Sequence, residues 1–324
     1  MSQNDSASWV QEEFSSHAFS DDRLHQRLLK IAQSFIDSPS LSINQACADW
    51  AAIKGAYRFF DNDSVNTEAI LDPHYKSTFE RSLSDERVLV IQDSSTINYD
   101  THVATTGLSS FSKSKGHENF GLITHTALVT STDGVPFGVI DQKTWARDVS
   151  DEDKELSKTR SYRREIETKE SYRWIEALRN AKSRLPDKDI VVVGDRESDI
   201  YEFFQEALLE DVNFVVRSSY SRIVEDENGL HKSMDEKLKS LSEMGRVCLH
   251  IPGRQGASAR SAVLELRFTE VMLVSCPRGL KGAKSKTRID VPLFVVELLE
   301  KNPPRGVKRL HWRILTNLKT ESPH

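Results

Sequence analysis

Apolar positions in the first seventy residues recur at helical spacing. Leu24, Leu28, Ile31 and Phe35 follow four-three-four steps, one buried stripe of a helix. Ser20 with Asp21 and Asp22 opens it and Asp37-Ser38-Pro39 ends it. A second helix is predicted from about Ser42, with Ile43, Cys47, Trp50, Ile53 and Tyr57 on one face, and a third from near Thr67. The pattern changes at about Arg87. Val88–Ile91 is an apolar run the size of a buried strand. Leu122–Val129 and Val135–Ile140 flank Ser131-Thr132-Asp133-Gly134, a turn signal, and read as a hairpin. A charged helix follows, roughly Arg163 to Leu185, with Tyr172, Ile175, Leu178 and Ala181 inward. Then come a strand at Ile190–Val193, a helix at Ser198–Leu209 and a strand at Asn213–Val216. From about Gly245 alternation returns, predicting strands at Arg246–Ile251, Ser261–Phe268, Val271–Ser275, Val291–Glu297 and Arg309–Leu315.

The order strand, hairpin, helix, strand, helix, strand is similar to that of the RNase H-like fold. There the first strand and the one after the helix lie side by side and parallel. The expected class is therefore α/β: an RNase H-like mixed sheet with helices, preceded by a small helical domain and interrupted by a β-rich insertion. The corresponding boundaries are 1–75 for the helical domain, 76–244 for the core, 245–318 for the insertion and 319–324 for a polar tail. No internal repeat is found.

Composition narrows the class further. The chain has 324 residues, 38% hydrophobic and 29% charged, which suits two or three domains with a charged surface. No apolar run approaches the roughly 20 residues that cross a bilayer, and Met1–Trp9 lacks a signal-peptide pattern. Cys47, Cys248 and Cys276 have neither metal-ligand nor disulfide spacing, so the expected setting is a reducing cytoplasm and the cysteines read as small buried hydrophobes. Net charge is −5, yet Pro277–Arg288 holds five cations and no acid, and Lys158–Arg164 four cations. Such runs are solvated surface or phosphate contacts, and charge alone leaves both readings open.

Candidate chemistry centres on two aspartates. Asp93 follows Val88-Leu89-Val90-Ile91-Gln92 and Asp195 follows Ile190-Val191-Val192-Val193-Gly194. Sites in open α/β sheets gather at the carboxyl ends of strands. On neighbouring strands about 4.8 Å apart, both carboxylates would point at one spot and repel without a divalent cation between them. The bland alternative is that each caps a strand-to-helix turn. Gly194-Asp195-Arg196-Glu197-Ser198-Asp199 also suits a phosphohydrolase of the haloacid-dehalogenase type. That chemistry needs a second Asp two positions after the nucleophile, and Asp93 is followed by Ser94-Ser95-Thr96.

Several motifs in order resemble bacterial insertion-sequence transposases with an Asp-Asp-Glu triad. Gly55-Ala56-Tyr57-Arg58-Phe59 is similar to their N-terminal DNA-binding signature, and Leu89–Thr96 to their first-carboxylate strand. Asp195–Tyr201, with Phe214–Ser218, resembles the second-carboxylate motif, and Trp312–Thr316 the strand that closes the insertion. The resemblance implies a cut-and-paste DNA transposase acting at transposon inverted repeats, associated with the nucleoid and dimeric when full length. Asp93 and Asp195 would hold Mg²⁺, with Mn²⁺ as a substitute, and Tyr57 and Arg58 would contact double-stranded DNA. Arg196 and Arg217 would contact phosphates near the cut, and Trp312 would stack on a flipped base. Read without the family, Arg196 pairs with Glu197 or Asp199, Arg217 is an exposed strand residue, Trp312 is core and His125 a satisfied core histidine.

The family's third carboxylate lies on a helix beyond the insertion, in a Tyr-x-x-Arg-x-x-x-Glu pattern. This string is absent here, and Glu321 falls too early to replace it. The expectation is thus a truncated, catalytically incomplete transposase. The alternative is a DNA-binding inhibitor or remnant of a full-length copy.

Overall fold

Apolar runs that place Val88, Val90, Ile190, Val192, Phe214 and Val216 on one buried face become the centre of one mixed sheet. The computed structural model describes residues 9–16, 19–102, 104–114, 117–147, 166–226, 228–253, 258–274 and 290–320. Strand β1 (Arg87–Asn98) pairs antiparallel with β3 (His117–Thr130) and parallel with β5 (Asp189–Gly194). On its far side β5 pairs parallel with β6 (Asn213–Arg217). Strands β2 (Ser109–Ser114) and β4 (Pro136–Trp145) both pair with β3. As expected, the first strand and the strand after the long helix are adjacent and parallel.

The β-rich part does not stand apart. Strand β12 (His311–Thr316) pairs with β6, and β11 (Val291–Glu300), β10 (Arg260–Leu273), β9 (Gly245–Ile251) and the hairpin β7 (Ile223–Glu225)–β8 (His231–Ser233) extend the sheet from it. The two strands expected at Ser261–Phe268 and Val271–Ser275 are one, because Thr269-Glu270 continues the ladder with β11 instead of turning.

Helices cover one face. The N-terminal helices are α1 (Asp22–Asp37), α2 (Ile43–Ala46), α3 (Trp50–Phe60) and α4 (Thr67–Arg81); α5 (Tyr172–Arg184), α6 (Tyr201–Leu209) and α7 (Met234–Lys239) follow. The main core joins Val88 and Val90 of β1 and Val192 of β5 to Trp174, Leu178, Phe203 and Phe214. A second core of Phe19, Leu28, Ile31, Ala56 and Phe59 serves the N-terminal helices. Helix α4 belongs to both, with Ala69 and Ile70 in the small core and Tyr75 in the large one. The expected boundary at 75/76 therefore falls inside a helix. Thr78 Oγ1 donates to Val139 O at 3.0 Å and Val139 N donates to His74 Nε2 at 3.0 Å, stitching α4 to β4.

The single helix expected from Ser42 is two. Cys47 ends α2, and Asp49 starts α3 by accepting from Ala52 N at 2.8 Å. The break rotates the second piece, so Trp50 (75% exposed) and Tyr57 (51%) face solvent, not the core. Helix α5 begins at Tyr172, later than expected, after a 3-10 turn at Ile166–Thr168. The start of the expected helix at Arg163, the basic runs Lys158–Arg164 and Pro277–Arg288, Cys276 and Glu321 lie outside the described residues. Cys47 is half-buried and Cys248 exposed, so neither is the buried hydrophobe expected. No helix among the described residues is long and apolar enough to cross a membrane.

Candidate carboxylate site and nucleic-acid interface

Strand β1 runs on through Asn98, so Asp93 is not at a strand end as the apolar run implied. Beyond Gln92 the strand is polar and pairs with β3 alone, Asp93 facing Thr126. Parallel pairing with β5 stops at Ile91↔Val193. Carried two steps past the paired residues, the same register would bring Asp93 opposite Asp195. One step beyond Gly194↔Val216 would bring Asp195 opposite Arg217, which pairs with Ile314 of β12. Facing residues on neighbouring strands share a side of the sheet, and alternate residues along a strand do too. Continued in this way, the registers would give Asp93, Asp195 and Arg217 one transverse row, with Trp312 two residues from Ile314 on the face of Arg217. That face is opposite the helix-covered core holding Val88 and Val90.

Both carboxylates are exposed. Ser94 N donates to Asp93 Oδ1 at 2.8 Å, and Glu197 N donates to Asp195 Oδ1 at 2.8 Å. The second bond makes Asp195 the N-cap of a 3-10 turn, Arg196–Ser198, so the bland capping role is real for Asp195; Asp93 caps nothing, because its strand continues. Among the described residues, Oδ2 of each accepts no hydrogen bond and is open to a cation.

Gly194 is required behind this turn. A Cβ there would lie 2.8 Å from Ser198 Cβ, nearer still to Ser198 Oγ, and 3.3 Å from Trp174 Cζ3. Ser198 Oγ donates to Asp195 O at 2.7 Å, holding the backbone of the carboxylate in place.

The acids expected to pair with Arg196 are taken by other cations. Glu197 is bound by Arg173, and buried Asp199 by Arg222, with Nη2–Oδ1 at 2.7 Å. Asp199 Oδ2 also accepts from Ser219 N at 2.6 Å, and Ser219 Oγ donates to Arg196 O at 2.7 Å, fastening the loop after Arg217 to the turn after Asp195. Arg196 and Arg217 are exposed, and neither has an ion pair among the described residues. Trp312 is half-buried opposite Leu298 of β11, not core.

Beneath Asp93 lies a network that sequence reasoning did not find. Arg173 Nε donates to Ser94 Oγ at 2.9 Å, and Ser94 Oγ lies 2.9 Å from His125 Nδ1. His125 is buried, 3.3 Å from Gln92 Oε1 through Nε2, as a satisfied core histidine should be. Burial, and then the charge of Arg173, push its pKa down to about 3. It is neutral at physiological pH.

Tyr57 and Arg58 are not brought to the row. They lie on the exposed side of α3 with Trp50 and Lys54, at helical steps of three and four, and Tyr57 Oη donates to Asn44 Oδ1 at 3.1 Å. An aromatic and basic helix face of this kind suits a phosphate backbone.

Residues 6–65 match the family described as transposase DNA-binding. The helical segment carrying Tyr57 and Arg58 falls within that match, and DNA is the partner it supports. The solved piggyBac transposase synaptic complex with hairpin DNA is similar at a TM-score of 0.42 and 7% identity, over 98% of this chain and 58% of that one. The chain thus spans less than two thirds of the length of that neighbour, and a likeness this slight assigns neither fold nor activity.

Two exposed carboxylates supply hard oxygen donors of the kind Mg²⁺ and Mn²⁺ take. They fit such an ion as a partial set, for no group of three or more His, Cys, Asp or Glu among the described residues is arranged to hold a metal.

Proposed function

We propose that the chain acts in DNA transposition. On this reading α3 and its neighbours grip duplex DNA, and Asp93 and Asp195 serve divalent-metal-dependent phosphodiester cleavage and strand transfer at transposon ends. The supporting observation is the parallel β1–β5 register, which two steps further on would bring Asp93 opposite Asp195, in a chain whose residues 6–65 match a transposase DNA-binding family. The order β4-β3-β1-β5-β6, with β1, β5 and β6 parallel, supports an RNase H-like core.

The chain's own part in the chemistry follows from the row. Asp93 and Asp195 would hold Mg²⁺ or Mn²⁺ through Oδ2 atoms that accept no hydrogen bond among the described residues. A divalent ion in such a site activates water and stabilises the leaving oxygen. Arg196 and Arg217, exposed and without an ion pair among the described residues, would offer guanidinium forks to the phosphate next to the cut. Trp312, half-buried on the same face, offers an aromatic surface to a displaced base.

A second reading is favoured by the count of ligands. With two carboxylates and no third among the described residues, the chain would bind DNA and compete with a complete enzyme without cutting. Selection of bound duplexes from a random-sequence pool, followed by incubation with Mg²⁺ or Mn²⁺, tests both. Enrichment of one motif with cleavage lost in Asp93→Asn and Asp195→Asn supports the enzyme. Enrichment without cleavage supports the competitor. No enrichment, or cleavage unchanged in both variants, contradicts the reading.

A further inference from the structure

The ladder between β1 and β5 ends two residues before each carboxylate, so the main-chain pairing that aligns the strands does not reach Asp93 and Asp195. A side chain crosses the gap. Arg173, the second residue of α5, donates through Nε to Ser94 Oγ at 2.9 Å and through Nη2 to Glu197. Ser94 adjoins Asp93, and Glu197 follows Asp195 by two. Nη1 donates to Glu170 O at 2.8 Å, so all three guanidinium nitrogens are engaged. The side chain is only 12% exposed and lies 5.9 Å from the Trp145 ring and 5.8 Å from the Trp174 ring.

Ser94 is oriented to receive it. Gln92 Oε1 can only accept, so His125 Nε2 donates to it and Nδ1 accepts the Ser94 hydroxyl proton. The lone pairs of Ser94 Oγ are then free for the Arg173 N–H. The line Gln92–His125–Ser94–Arg173–Glu197 runs from the buried side of β1 to the turn after Asp195.

We propose that Arg173 is a positioning residue that clamps the strand of Asp93 to the turn of Asp195, setting the spacing of the two carboxylates toward a divalent cation. It touches neither carboxylate and acts through Ser94 and Glu197. The proposal rests on the reading of the pair as cation ligands.

The test uses the full chain and Mn²⁺ itself, with free Mn²⁺ followed by electron paramagnetic resonance, and hydrogen exchange of residues 93–97 and 195–198 without metal. Asp93→Asn should abolish binding. Arg173→Gln should weaken it roughly tenfold, as loss of a group that orients a ligand does. Glu197→Gln, an exposed change that leaves the core intact, should weaken it by a similar factor, and the double variant no more than Arg173→Gln alone. Arg173→Lys keeps charge but not the fork and should rescue little. Exchange in both segments should quicken in Arg173→Gln and Glu197→Gln. Mn²⁺ affinity equal to wild type in both variants overturns the clamp, even if unfolding shifts. So do effects that add in the double variant, which would mean that Glu197 acts by itself. Absent Mn²⁺ binding in the wild-type chain, or binding untouched by Asp93→Asn, fells the reading of the pair instead, and the clamp with it.

Discussion

Gly194→Ala probes the wall behind Asp195. The added methyl would sit 2.8 Å from Ser198 Cβ and closer to its Oγ, with Trp174 Cζ3 at 3.3 Å on another side. Ser198 and Trp174 are fully buried, so neither can swing into solvent. Overpacking of this kind costs about 1–3 kcal/mol. Displacing Ser198 also breaks its 2.7 Å bond to Asp195 O, worth about 1 kcal/mol. The expected loss is about 2–4 kcal/mol in urea unfolding at neutral pH. Ser198→Gly removes the two nearest atoms and leaves only the Trp174 contact. In that background Gly194→Ala should cost about 1 kcal/mol or less, a coupling of at least about 1 kcal/mol. A loss under about 0.5 kcal/mol in the wild-type background, or the same loss in both, would refute the packing argument.

Three further outcomes follow from the geometry. Buried Glu13 accepts from Arg81 Nη1 at 2.6 Å and from His74; burial raises its carboxyl, but these partners outweigh it and hold it below the ordinary 4.5. A carboxyl held low contributes stability that is complete above 4.5 and is lost as pH falls through the folded value. Glu13→Gln should therefore cost about 2 kcal/mol at pH 7, and the gap should narrow below pH 4.5; a gap independent of pH contradicts this. The depressed His125 has the same sign: the unfolded chain takes its proton near 6.5 and the folded one not until about 3. Stability is full above that window and falls within it by up to about 1.4 kcal/mol per pH unit. Ring NMR signals should stay neutral at pH 5, and a midpoint near 6.5 would count against the network. On α3, Trp50→Ala should change stability by less than about 0.5 kcal/mol yet weaken DNA binding, and Arg58→Ala should reduce the salt slope of binding by about one. Unchanged binding in both would remove α3 from the interface.

Legibility along the chain follows how much each signal depends on neighbours. The central strands were readable because each is a short, uninterrupted run of Val, Leu and Ile, although Ile91 is exposed and only alternate residues of β1 are buried. The polar half of β1 was not, since Gln92–Asn98 is strand only because β3 lies beside it. Helix α1 matched its stripe, whereas the pattern through Ile43–Tyr57 hid a break, as a cap at Asp49 restarts the helical phase. The two aspartates were visible from their place after apolar runs. Arg173 was not, because its partners Ser94 and Glu197 lie 79 and 24 residues away. Only the register turns such separations into contacts.

The sharing of one cation by Asp93 and Asp195 is open to direct measurement by calorimetric titration of Mn²⁺ into the full chain and its single variants. One binding event in the wild-type chain should vanish completely in Asp93→Asn and equally in Asp195→Asn. If either variant keeps that event with the same stoichiometry and affinity, the two carboxylates do not meet on a common ion.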